Sequence, residues 1–284
     1  MSTRSVIAPT LESAGLISGW GRGLAALPHD VQAAAQGRSV ISAGRPALSG
    51  DRFRRATREC LLAVTAVDEM LENAEIPRDV LTGERTALLY ATASAYGSSN
   101  RAFIEGTGAS TLHFPYTAPS AVPAEVAIEF QISGHYVNFI GGAPATLSAI
   151  WYGATLLASH ECDRVLVLAV ETFEECDDLY ARGRWCVGRP LVEAAACVLL
   201  MPGEGELWYS ERRQRSGARG VSTVSERFGE SFSCAPLVEL GSARASGTPI
   251  FGMTLTGTWR GTRATLKWIE TDSASWNRQT SSTH

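Results

Sequence analysis

The sequence predicts an α/β fold, and three stretches carry that prediction. Residues 51–74 place Phe53, Ala56, Cys60, Leu61, Val64, Val67, Met70 and Leu71 at helical spacing with charges on the opposite face, the pattern of an amphipathic helix. Residues 85–92 form an apolar run of strand length. Residues 136–171 read as an apolar strand, a run of tiny residues, a helix and a second apolar strand opened by Asp163-Arg164. This is a βαβ unit with its elbow at the carboxyl end of the first strand, where α/β folds gather their chemistry.

In chain order, residues 4–20 alternate short apolar runs with Gly and Pro, which predicts an edge strand and a surface loop. Residues 24–48 are rich in Ala, Gly and Pro and predict a short helix inside loops. The helix of 51–74 ends before Pro77, the strand of 85–92 follows, and the small residues of 93–99 predict a loop above a sheet. A short helix is expected over 125–132, then the βαβ unit, then a polar, Arg-bearing excursion over 174–188 before an apolar strand at 193–201. Between 203 and 230 periodicity fades into a Gly, Ser and Arg-rich connection. Residues 237–240, 250–255 and 264–269 read as closing strands, and 271–284 as a polar, disordered tail.

With 284 residues, 45% of them apolar, the chain can bury a large core in one or two domains. A net charge of -4 without a long Lys/Arg block excludes nucleic acid as the main partner, because phosphate neutralisation needs clustered cations. Arg52, Arg54 and Arg55, and the run from Glu211 to Arg215, are local exceptions. They read either as solvated surface or as a patch for an acidic carrier protein. The cysteines have no C-x-x-C spacing, and the amino terminus lacks a charged segment followed by a long apolar run, so a reduced, cytoplasmic setting is expected. No stretch approaches the ~20 apolar residues of a membrane helix, so no membrane partner is expected.

The order of residues around the elbow, Gly141-Gly142-Ala143-Pro144 and the helix after it, resembles the β-ketoacyl synthases of the thiolase-like superfamily. So do the segment 114–134 upstream and the run Arg189-Pro190-Leu191-Val192-Glu193 with its apolar continuation downstream. The resemblance spans roughly residues 50–200 and implies a thiolase-like fold whose first half is complete. Only about 80 residues follow Met201, so the second half is expected to be strongly shortened. Residues 1–203 would form the ketosynthase-like amino-terminal half, 204–270 a reduced carboxyl-terminal half completing the same domain, and 271–284 the tail. Residues 252–267 resemble the family's closing glycine-rich turn and last strand, although the Gly-Gly-Thr-Asn core of that turn is not intact here.

In register with the synthases, Ala143 occupies the position of the cysteine that a carrier's thioester acylates. An alanine cannot be acylated, and the next residue, Pro144, offers no N–H for an oxyanion. No His-Gly-Thr-Gly-Thr string is present, and the five histidines, His29, His113, His135, His160 and His284, fall in loops, at termini or at element ends. Ser148 lacks a G-x-S-x-G context. Among the cysteines, Cys176 and Cys186 in the polar excursion are the ones to test as replacement nucleophiles. Trp151, one helix turn further on, either plugs the acyl pocket or packs as plain core. No independent condensing activity, cofactor or metal site is expected.

By this resemblance the chain is a non-catalytic subunit like a chain length factor, paired with an active ketosynthase in fatty acid or polyketide-type elongation, with acyl carrier protein as a possible further partner. Gly141, Gly142, Pro144, Ser148 and Trp151 then form the degenerate elbow and pocket. The strand His135, Tyr136, Val137, Asn138, Phe139, Ile140 is the expected interface, continuing a sheet across a two-fold axis. A second reading is a decarboxylase or hydrolase of carrier-bound acyl groups, with Asn138, Thr146 and Ser148 binding the thioester carbonyl. A third is a homodimeric scaffold with a plugged site.

Overall fold

A computed structural model of the protein describes residues 3–106, 114–173, 188–213 and 227–270. Cys176, Cys186, His113 and the tail 271–284 lie outside the described residues.

Two sheets and the helices around them form the body. The strands of the larger sheet are β2 (Thr10–Ser18), β3 (Gly21–Arg22), β5 (Thr86–Thr92), β6 (Tyr136–Ile140), β7 (Arg164–Glu171) and β9 (Ala194–Met201), in the spatial order β3-β2-β9-β7-β5-β6. Strand β5 runs parallel to both neighbours, from Leu88 opposite Tyr136 to Thr92 opposite Ile140 on one side and from Thr86 opposite Arg164 on the other. Strands β9 and β2 add antiparallel pairs. Strands β5, β7 and β9 are almost wholly buried and read as continuous apolar runs, as expected of strands covered on both faces.

The smaller, antiparallel sheet has the order β1-β10-β12-β11, from Thr3–Ile7, Glu206–Arg213, Thr262–Ile269 and Thr254–Trp259. Its inner residues Leu207, Leu255, Ala264, Leu266 and Trp268 are buried. Its outer face alternates to polar, with Trp208 opposite Lys267 and Ser210 opposite Thr265. A short parallel pair, β4 (Val40–Ile41) with β8 (Leu191–Val192), stands apart.

Helix α2 (Arg58–Asn73) covers one face of the larger sheet, with α4 (Ala121–Phe130) beside it. Helix α5 (Ala143–Ala158) is sandwiched between the two sheets, with α6 (Ala235–Ala245) alongside. The remaining helices are the short α1 (Val31–Ala35) and α3 (Gly97–Ile104).

Several elements differ from the sequence reading for identifiable reasons. The long helix begins at Arg58 rather than at 51, because Thr57 is extended and the preceding Asp51–Arg54 forms a separate 3-10 turn. Arg58 fixes that start: its guanidinium grips the fully buried Glu193 carboxylate at 2.7 and 2.9 Å, and Glu193 also accepts from the backbone N–H groups of Ala43 and Phe173.

Residues 4–20 hold two strands in different sheets, and β2 is interior, with Leu11, Ser13, Leu16 and Ile17 buried. Part of the expected connection 203–230 is strand β10, whose alternation is masked in sequence by its charged end, Glu211-Arg212-Arg213. Residues 237–240 are helical, not a strand: Pro236 in the first turn starts α6, and Leu237, Leu240 and Gly241 repeat on its buried side. Helix α3 takes over the expected loop at Gly97. Helix α4 starts at Ala121, ahead of the expected 125, with Pro123 in its first turn.

Candidate functional site

Strand β6 delivers the chain to the elbow at Gly141 and Gly142, both buried, and α5 begins at Ala143. The Gly141 N–H donates to the Thr92 carbonyl at 2.8 Å, fastening the elbow to the end of β5. Pro144 sits in the first turn of α5, where its missing N–H leaves no helical bond unmade. Ala143, a residue of intermediate burial, puts a methyl group where chemistry would need a nucleophile.

Of the polar groups expected to bind a thioester carbonyl, Asn138 on β6 has its Oδ1 buried without a partner among the described residues, an acceptor that cannot donate to a carbonyl, and the two hydroxyls are committed elsewhere. The Thr146 hydroxyl is buried and donates to the Ser233 carbonyl at 2.6 Å. Ser148 Oγ donates to the Pro144 carbonyl at 2.9 Å and lies 2.8 Å from the Tyr209 hydroxyl, which in turn donates to Glu211 at 2.8 Å. Burial and the Glu211 carboxylate push the Tyr209 phenol up to about 12, so the group next to Ser148 stays a protonated phenol, and no imidazole among the described residues joins the chain to activate the hydroxyl. Trp151 stacks on Tyr209 with centroids 5.8 Å apart, so it joins α5 to the smaller sheet as packing.

Three aromatic rings line up beside the elbow. Phe173 and Phe232 meet edge-on at 5.3 Å, and Phe232 meets Trp259 at 4.8 Å. Trp259 lies at the tip of the β11–β12 hairpin, whose two turn residues Arg260 and Gly261 have φ of 45° and 79°, the conformation of a tight primed turn. The indole covers Gly142: a β-carbon there would lie 2.7 Å from Trp259 Cε3. Behind it, a β-carbon at Gly257 would lie 2.6 Å from Ala143 Cβ.

Below the row, Glu171 closes β7 as a fully buried carboxylate. It accepts from the backbone N–H groups of Ala93, Ser94 and Ser233 and from the hydroxyls of Ser94 and Ser233. Burial nonetheless outweighs these donors and pushes its pKa up to about 7. Trp259, Phe232, Glu171 and Ser233 were missed in the sequence. The acid that ends the run Val165-Leu166-Val167-Leu168-Ala169-Val170 was the available signal for Glu171.

The other candidates do not join this group. His135 is exposed and pairs with Glu161 at 3.2 Å, His29 is exposed, and His160 lies past the far end of α5. Cys60, Cys162, Cys197 and Cys234 are free and buried, and burial raises each thiol, Cys60 to about 12, so none is held as a thiolate. Of the basic cluster, Arg52 pairs with Glu125 and Glu129, and Arg54 with Asp51.

The expected interface strand β6 stands at the edge of the larger sheet, with Tyr136 and Ile140 exposed. Phe139 packs on Tyr152 of α5, centroids 6.2 Å apart. A groove of about 640 Å³ runs beside this edge, lined by Leu88, Tyr116, Ala124, Ile128 and Tyr136, with Arg55 among its polar residues. Among the described residues no helix is long and apolar enough to cross a membrane.

Comparison with known structures finds this architecture repeatedly. The structure of the ishigamide ketosynthase/chain length factor matches with a TM-score of 0.69 at 15% identity, over 92% of this chain and 99% of that one. A type II polyketide synthase acyl-carrier protein in complex with its ketosynthase, AntDE:AntF, gives 0.69 at 14% identity, over 95% and 100%. The ketosynthase ApeO in complex with its chain length factor ApeC from Xenorhabdus doucetiae gives 0.59 at 11% identity, over 92% and 99%. No curated protein sequence matches the chain. The model of the β-ketoacyl synthase N-terminal domain matches residues 29–188, more than half of the sequence. With that match, the α/β architecture and the elbow at the end of β6, the chain belongs to the β-ketoacyl synthase family and has a thiolase-like fold.

Proposed function

We propose that this chain is a non-catalytic synthase-like subunit that pairs with an active ketosynthase and shapes that partner's acyl pocket in fatty acid or polyketide-type elongation. The observation that carries the reading is the pairing of two features on one βαβ unit: an elbow with Ala143 in place of a nucleophile, and a leading strand, β6, left at the sheet edge. An open edge is a template for strand addition, and Tyr136, Ile140, Ile128 and Tyr152 give the surrounding surface the exposed apolar groups that a partner would cover. Residues 135–140 are the interface in this reading. Gly141, Gly142, Pro144, Ser148 and Trp151 are the remnant of the pocket, within an amino-terminal half of 1–203 completed by 204–270. The known complexes of a ketosynthase with a chain length factor and with a carrier protein support a synthase partner, with acyl carrier protein as a third component.

Co-expression with an active ketosynthase encoded beside it, followed by mass analysis of what copurifies, tests the reading. A one-to-one complex that elongates carrier-bound chains only with both subunits present is the expected result. A homodimer that never binds a synthase would overturn it in favour of the scaffold alternative.

A further inference from the structure

We infer that Trp259 is the residue that excludes acyl chains from this elbow, acting as a plug held from above rather than as incidental core packing. The inference deepens the reading above and rests on its premise that the elbow takes no acyl group.

Three observations converge on it. The first is position. The indole lies against Gly142, close enough that no β-carbon fits between them, and within reach of Gly141. An acyl chain leaving a side chain at position 143 must pass the first turn of α5, and on the hairpin side that volume is filled by the indole.

The second is support. Phe232 meets Trp259 edge-on and is itself backed by Phe173, which is buried, so the indole cannot swing away without displacing a row of rings. On its other side the Arg260 guanidinium stands over the ring at 5.5 Å.

The third is strain. Phe232 has φ of 45°, and the left-handed region is unfavourable for a bulky non-glycine residue. Backbone conformations of this kind persist where the surrounding structure over-determines them, and Phe232 is the ring that backs the indole.

The elbow itself is not sealed. Ala143 keeps part of its surface exposed, so a small reagent has a path to position 143 that a long chain lacks. Size selectivity is therefore the signature of the plug.

The test is alkylation of an Ala143→Cys variant, alone and combined with Trp259→Gly. Each protein is treated with iodoacetamide or with its N-decyl analogue, and the peptide containing position 143 is followed by mass spectrometry. In either reaction the introduced thiolate displaces iodide and forms a thioether, so the two reagents differ only in the chain that must be accommodated. In Ala143→Cys the decyl reagent is expected to react roughly tenfold or more slowly than iodoacetamide, relative to the ratio in the urea-unfolded chain, because access controls the rate. Adding Trp259→Gly brings the ratio back to the unfolded value. A native ratio in Ala143→Cys equal to the unfolded one overturns the inference, as does a size selectivity that survives Trp259→Gly. Should the double variant fail to fold, the ratio in Ala143→Cys alone still decides, and Phe232→Ala supplies a second way of loosening the row. All of this is read on the isolated chain, so its failure is distinct from a failure to pair with a synthase.

Discussion

Glu171 and Ser233, 62 positions apart, are joined twice: the serine gives both its backbone N–H and its hydroxyl to one oxygen of the buried carboxylate. Because the Ser233 carbonyl also receives the Thr146 hydroxyl, this pair ties the end of β7 to the first turns of α5.

The burial of that carboxylate makes stability depend on pH in a definite direction. Burial raises Glu171 from 4.5 to about 7 in the folded chain, so the folded state binds the proton more tightly than the unfolded state. The associated stability is fully present below pH 4.5 and is lost as pH rises through 7, a change of about 3 kcal/mol. Urea melts of the native chain between pH 4.5 and 8 should show this decline. Glu171→Gln, which cannot titrate, should be flat over the same window, and an unchanged slope in that variant would assign the effect to another group.

The Arg58–Glu193 pair is a fixed cost once either member is lost. Arg58→Ala takes the two-pronged guanidinium contact away from the wholly buried Glu193 carboxylate, an expected loss of about 3–5 kcal/mol in denaturant titration. Arg58→Lys should recover only part of this, because an ammonium cannot reproduce the two-pronged contact.

Ala143→Cys alone is not expected to restore condensation. A thiol at the elbow finds no histidine among the described residues near it and no N–H on Pro144, so product from acyl- and malonyl-loaded carrier protein should stay at background by mass spectrometry. Product above background would mean that groups outside the described residues complete the site.

At the sheet edge, Tyr136→Asp and Ile140→Asp put charge on side chains that are already exposed. The melting behaviour of the isolated chain should shift by no more than about 0.5 kcal/mol. Copurification of a synthase partner should fall by at least roughly tenfold, since a buried unpaired carboxylate is costly in an interface. Undiminished pairing would move the interface away from β6.

Much of the first half was legible in the sequence because periodicity there is local. The apolar run of β7 and the small residues at Gly141 and Gly142 state their conformations within a few positions, and the elbow could be placed before any tertiary information. The second half was harder to read. Strand β10 alternates for only a few residues before turning charged, and the apolar residues of α6 suit a strand as well as a helix until Pro236 and the packing against β2 and β9 decide. The contents of the site were least legible of all. Trp259 meets Gly142 across more than a hundred residues of chain, and nothing in the local sequence of either records the contact.

The fit between Gly257 and Ala143 limits what the hairpin can vary. Strand β11 approaches so closely that a β-carbon at 257 would lie 2.6 Å from the methyl at 143. Any residue larger than glycine at 257 would have to lever the hairpin off the elbow, and Trp259 two positions on would move with it. The glycine is thus the hinge pin of the contact: it carries no group of its own to the elbow, yet it sets how near the indole can come.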